Sequence, residues 1–264
     1  MPKRMAAALA VTALLVTAQI AASAPSAPMA AASHTTQQAA APASVRTAIL
    51  PPRWRGRNVT RLPTKRRVVA LTIDCGSGNG AARSMMRTLR EKNAEATFFV
   101  TGAFARNYPG DVRRMAKAGH TVGNHSDTHP DFRNLSTQQQ TKQIKRAGSR
   151  ITALTGFTPR PWFRFPYGGF SQSSIKLANK HGYAAVGWTV DTLGWLGTSG
   201  GQSAQSVIRR VTAAARPGEI VLMHCGANPT DGSKLDAKAL PTIIDRLRAK
   251  GYEFVRLGDS PPRY

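Results

Sequence analysis

Seven short β-rich stretches alternate with helical ones from residue 66 onward, and that alternation limits the fold more than any other feature of the chain. The strand-like stretches are 67–74 (RVVALTID), 96–102 (ATFFVTG), 120–125 (HTVGNH), 162–167 (WFRFPY), 184–191 (AAVGWTVD), 219–224 (EIVLMH) and 252–257 (YEFVRL). Between them lie stretches of helical spacing, among them 82–93 (ARSMMRTLREKN) and 111–119 (DVRRMAKAG). One helix marks both of its ends: Ser136 with Gln139 makes a capping box, and Gly156 supplies the stop. Strands alternating with helices predict a parallel sheet with crossover helices. Seven units in about 190 residues suit a small barrel short of the eight-fold form. An open doubly wound sheet shows the same alternation, so periodicity alone leaves both architectures standing.

In parallel α/β folds the carboxyl ends of the strands share one side, and that side carries the active site. Reactive residues fall at those ends. Asp74 closes the first stretch, His125 the third with His129 four residues on, Asp191 the fifth and His224 the sixth, while Arg164 sits near the end of the fourth with Pro166-Tyr167 beyond. Any one of these is weak evidence; their shared position is strong. An isolated HxxxH is more often two polar surface histidines than a metal site. If a helical turn follows the strand, however, the i, i+4 spacing of His125 and His129 puts both imidazoles on one face, suited to one metal ion.

The rest of the chain differs in composition. Residues 1–73 carry ten Lys/Arg and no acid, out of 37 Lys/Arg and 13 Asp/Glu in all 264 residues, for a net charge of +24. Lys3 and Arg4 precede an apolar run from Met5 to Ala22, followed by small residues, which is the layout of a secretory signal peptide. We expect residues 1–32 to be that signal, with small-residue cleavage sites at Ala30-Ala31-Ala32 and, before an unfavourable Pro25, at Ala22-Ser23-Ala24, and the chain to be secreted and to associate with a cell wall; an uncleaved run would instead anchor it in the membrane. Residues 33–65 are expected to form a flexible Ala/Pro and then basic linker, able to hold the protein at an anionic wall or membrane face. With 41% hydrophobic residues the chain can bury a full core, and two Cys cannot staple a disulfide framework of this size. The charge would permit nucleic-acid binding, but export removes that partner and no recognition motif occurs. A monomer is expected.

Over residues 66–259 the chain resembles the polysaccharide deacetylase family (NodB-homology domain, carbohydrate esterase family 4). The motifs run in order: Thr72-Ile73-Asp74-Cys75-Gly76, His125-Ser126-x-x-His129, Arg164-Phe165-Pro166-Tyr167, Asp191-Thr192-Leu193-Gly194-Trp195 and Leu222-Met223-His224. The resemblance implies a distorted (β/α)7-type barrel with parallel strands in a single domain, and a metal-dependent hydrolase acting on the N-acetyl groups of an amino-sugar polymer. It implies a divalent metal, Zn²⁺ first with Co²⁺ or Mn²⁺ as alternatives, on His125 and His129. Asp74 would be the general base and His224 the general acid, with Arg164 holding Asp74 ionised and Asp191 keeping His224 charged. Tyr167 would offer its backbone N–H to the oxyanion, and Trp188 and Trp195 are candidate sugar platforms, one of them expected in the core. The expected substrate is peptidoglycan, with other N-acetylated glycans open.

Two positions depart from the family pattern. The second acid of the first motif is Cys75, and Gly194 stands where the fourth motif has another acid. Cys75 could ligate the metal as thiolate, pair with Cys225 in a disulfide, or be a neutral replacement. If the third ligand is lost, the chain would be a catalytically disabled glycan-binding protein on the same fold.

Overall fold

The computed structural model describes residues 50–259, apart from Pro51 and Ser77. The expected signal peptide, the Ala/Pro part of the linker and the last five residues lie outside the described residues. In chain order the strands are β1 (Asn58–Val59), β2 (Val68–Cys75), β3 (Ala96–Val100), β4 (Thr121–Asn124), β5 (Trp162–Phe163), β6 (Ala184–Val186), β7 (Val190–Asp191), β8 (Glu219–His224) and β9 (Glu253–Phe254). The helices are α1 (Ala82–Glu91), α2 (Gly102–Asn107), α3 (Pro109–Lys117), α4 (Thr137–Thr155), α5 (Gln172–Lys180), α6 (Ala204–Ala214) and α7 (Leu235–Ala249).

The helices bear out their sequence signals. Both halves of the Ser136/Gln139 capping box are present at the start of α4, and Gly156 ends that helix at φ 75°, a left-handed conformation that glycine adopts without cost. In α1, Ala82, Met85 and Leu89 are buried along one face, which turns Arg83, Arg87 and Arg90 outward. β2 is buried along its whole length, as a near-continuous apolar strand of a two-faced parallel sheet should be.

The ladder runs β1-β6-β5-β4-β3-β2-β8-β7, every pair parallel, with β9 beside the first residues of β2. The stretch 184–191, read from its sequence as one strand, is broken. β6 lies between β1 and β5 and β7 beside β8, so Gly187–Thr189 carries the chain from the second strand of the ladder to its far margin. That jump curls the sheet into the distorted barrel. Gly187 makes the break possible: its N–H donates to the Val59 carbonyl, and any Cβ there would press on the side chain of Asn58.

The linker boundary at residue 65 needs correction. Trp54 is 7% exposed and meets Trp162 edge-on, with ring centroids 5.1 Å apart. β1 pairs with β6, and Leu62 donates its N–H to the Gly218 carbonyl. The arginines between these residues face water, as expected of a charged linker. The apolar residues interleaved with them gain more from burial than a solvated linker would.

Candidate functional site

The site is built at the carboxyl ends of the strands around Asp74. The ladder places Asp74 opposite His224 of β8, so the acid and the histidine are neighbours by register. Arg164 enters from the chain just after β5 and is completely buried. Its Nη1 donates to Asp74 Oδ1 at 2.8 Å, Nη2 to Thr72 Oγ1 (2.8 Å) and to the Gly187 carbonyl (3.0 Å), and Nε to the Val186 carbonyl (3.2 Å). The guanidinium also stacks on Phe99, 4.2 Å from the ring centroid. Burial opposes the charged form of Asp74, but the guanidinium of Arg164, helped by His224, outweighs it and holds the carboxyl below its ordinary value.

The two histidines do meet, although not by a helical turn. Ser126 (φ 69°) and His129 (φ 64°) adopt left-handed backbone, and His129 donates its N–H to Ser126 Oγ at 3.1 Å. Left-handed conformation costs a side-chain-bearing residue on the order of 1 kcal/mol, and surrounding bonds impose it here. The side chain of Gln143 accepts the N–H groups of Asp127 and Thr128, while α2 donates Gly102 and Ala103 N–H to the carbonyls of Ser126 and Asp127. The result is a tight loop with Nε2 of His129 3.1 Å from Nε2 of His125, itself 3.3 Å from Asp74 Oδ2.

This donor set suits a divalent metal. The Nδ1–H of His125 is directed at the Arg164 carbonyl, 2.9 Å away, which leaves the Nε2 lone pair facing His129. Burial lowers the pKa of both rings, that of His129 to about 4, so they are neutral near pH 7. Cys75 contributes no thiolate, because it forms a disulfide with Cys225, Cα atoms 5.2 Å apart. Among the described residues no group of three His, Cys, Asp or Glu side chains is assembled as a complete cage, and His125 and His129 are the pair brought together there.

On the opposite side of Asp74 the expected pairing changes. Asp191 does not reach His224: its Oδ1 accepts the N–H of Leu193 at 2.9 Å, turning the carboxylate back on its own loop. The acid beside His224 is Asp236, at the start of α7, whose Oδ2 accepts the His224 backbone N–H at 2.8 Å and stands 3.7 Å from Nδ1. Burial disfavours the charged imidazole, yet Asp236, Asp74 and Asp191 together raise its pKa above the ordinary value. Sequence pattern missed Asp236 because an acid in the first turn of a helix is unremarkable. Tyr167 sits over His129, ring centroids 4.6 Å apart, with its backbone at φ 56° and its side chain 70% exposed. Trp195 is exposed near His224, whereas Trp188 is half-buried against Arg164 and Gly168, so Trp188 is the one that belongs to the core.

A parallel barrel with a buried base-like carboxylate, a histidine pair and a separate histidine on one rim defines a hydrolytic site class, and comparison with known proteins agrees. Residues 61–186 match the polysaccharide deacetylase family model. A peptidoglycan-N-acetylglucosamine deacetylase of Bacillus cereus is 32% identical over 197 residues, covering 74% of this chain and 68% of its own length. The crystal structure of the Bc1960 peptidoglycan N-acetylglucosamine deacetylase superposes with a TM-score of 0.70 at 31% identity, covering 76% of this chain and 90% of that one. BA3943 of Bacillus anthracis, a CE4 family pseudoenzyme, gives a TM-score of 0.70 at 29% identity, covering 76% of this chain and 68% of that one. The chain belongs to the polysaccharide deacetylase family.

Proposed function

We propose that the chain is an exported, metal-dependent deacetylase that hydrolyses N-acetyl groups of peptidoglycan. One observation carries the reading: Asp74, kept ionised by buried Arg164, lies between the His125/His129 pair and His224. Relatives named as peptidoglycan N-acetylglucosamine deacetylases support the substrate. His125 and His129 would hold the metal, Zn²⁺ being the best match to two imidazoles, and a bound metal would supply Lewis-acid polarisation and a more acidic water.

The side chains account for the proton traffic. Asp74 takes a proton from the attacking water as its oxygen bonds the acetyl carbon. The backbone N–H of Tyr167, next to His129, is assigned to the developing oxyanion. When the C–N bond breaks, the nitrogen keeps the bonding pair and takes a proton from His224, giving acetate and a free amine. The sugar would lie against Trp195. With the base held low and the acid held high, activity should rise from acid pH and fall as pH passes the raised pKa of His224.

The disulfide at Cys75 favours a second reading, a glycan-binding protein without turnover, since no thiolate completes the metal shell. Purified wall glycan with Zn²⁺, Co²⁺ or Mn²⁺ supplied separates the two. Acetate release with appearance of free amines, lost on chelation and restored by metal, is expected. Binding of the glycan without any release would establish the second reading instead.

A further inference from the structure

Asp236 lies outside every motif of the sequence, yet it is 3% exposed and fixed against the main chain of His224. A bond to the backbone of the histidine itself sets the carboxylate in register with the imidazole it faces. Its other oxygen, Oδ1, has no hydrogen-bond partner among the described residues and lies against Gly194, where an added Cβ would overlap it. An acid side chain at 194 and the carboxylate of Asp236 therefore exclude one another. Asp191 meanwhile is engaged with Leu193 N–H, and its carbonyl accepts from Arg210.

We infer that Asp236, and not Asp191, is the positioning residue for His224, and that Gly194 is the residue that makes room for it. This rests on the deacetylase reading given above. A carboxylate next to Nδ1 favours the form protonated there and leaves Nε2 to carry the exchanged proton. After that proton passes to the leaving nitrogen, the imidazole is neutral with its Nδ1–H still toward Asp236. The other groups facing His224 are Asp74 from β2, Asp191 from β7, and His125 and His129 from the loop after β4.

The test uses the full chain and its D236N, D191N and G194A variants. Asn can still accept the His224 N–H, so D236N keeps the local bond while removing the charge. The His224 imidazole is titrated by NMR, with H224Q giving the assignment, and kcat and KM are measured against pH. D236N should lower the His224 titration midpoint more than D191N does, cut kcat roughly 10- to 100-fold with KM within about twofold, and move the falling limb to lower pH. G194A, with every acid retained, should shift the titration in the same direction by displacing Asp236. A larger shift in D191N than in D236N, or an unmoved midpoint in both D236N and G194A, would overturn the inference. Should D236N fail to fold, G194A against D191N decides it by the same titration. A wild-type protein that releases no acetate would reject the deacetylase reading, and the NMR comparison would still decide which acid governs His224.

Discussion

Every nitrogen of the Arg164 guanidinium donates a hydrogen bond. Four hydrogen bonds tie it to Asp74, Thr72, Val186 and Gly187, and the ring of Phe99 covers its face. Removing one partner of a buried ion pair strands the other, at a cost of about 3–5 kcal/mol. Arg164→Ala should lose that much stability in urea unfolding, beyond any loss of turnover. Asp74→Asn, which keeps the shape, should reduce acetate release by about 100-fold or more and leave the fold intact by circular dichroism. At this scale the sequence was informative where a residue closed a strand, because strand ends share one rim: Asp74, His125, Arg164 and His224 all arrive there. It was silent on side-chain direction. Nothing in DTLGW shows that Asp191 folds back onto Leu193, or that an acid twelve positions after His224 takes its place.

Among the elements, β2 and β8 carry Asp74 and His224, the pair proposed to move protons, and the Cys75–Cys225 disulfide, which spans 150 residues of sequence, joins their carboxyl ends. Closing so long a loop removes entropy from the unfolded chain equivalent to about 4–5 kcal/mol. The reduced protein should unfold at correspondingly lower denaturant, and native, unreduced protein should show no free thiols. β8 holds a second buried group at its other end. Glu219 is fully buried, neither carboxyl oxygen has a hydrogen-bond partner among the described residues, and burial raises its pKa to about 7. The folded state thus prefers the neutral acid, while the unfolded chain ionises near 4.5. Stability contributed by the protonated form is present below that value and is lost as pH rises to about 7. Glu219→Gln should recover on the order of 3 kcal/mol at pH 8 and little at pH 4 in denaturant titrations. Strand boundaries were the least legible feature. The sequence 184–191 alternates like one strand, and only the contact between Gly187 and β1, far away in sequence, explains why it is two.

For the molecule as a whole, the basic segment before β2 is held to the barrel by Trp54, Val59 and Leu62, so Arg53, Arg55, Arg57 and Arg61 have a fixed address on its surface. Trp54→Ala should cost about 3–5 kcal/mol in thermal or urea unfolding, as for any large aromatic taken from a core. Composition misled here because charge dominates the segment's count, whereas a few apolar residues, Leu50 among them, decide where it goes. The strand break at Gly187 has one more effect. Its carbonyl and that of Val186 lie open where the barrel wall changes course, and both are capped by Arg164. The same guanidinium that governs the Asp74 charge is mortar in a masonry joint. A lineage that abandoned the chemistry would still be under selection to keep the arginine, for the sake of the wall. Its survival in a related sequence would report an intact fold; His224, which makes no bond to that arginine, is the better sign of a working enzyme.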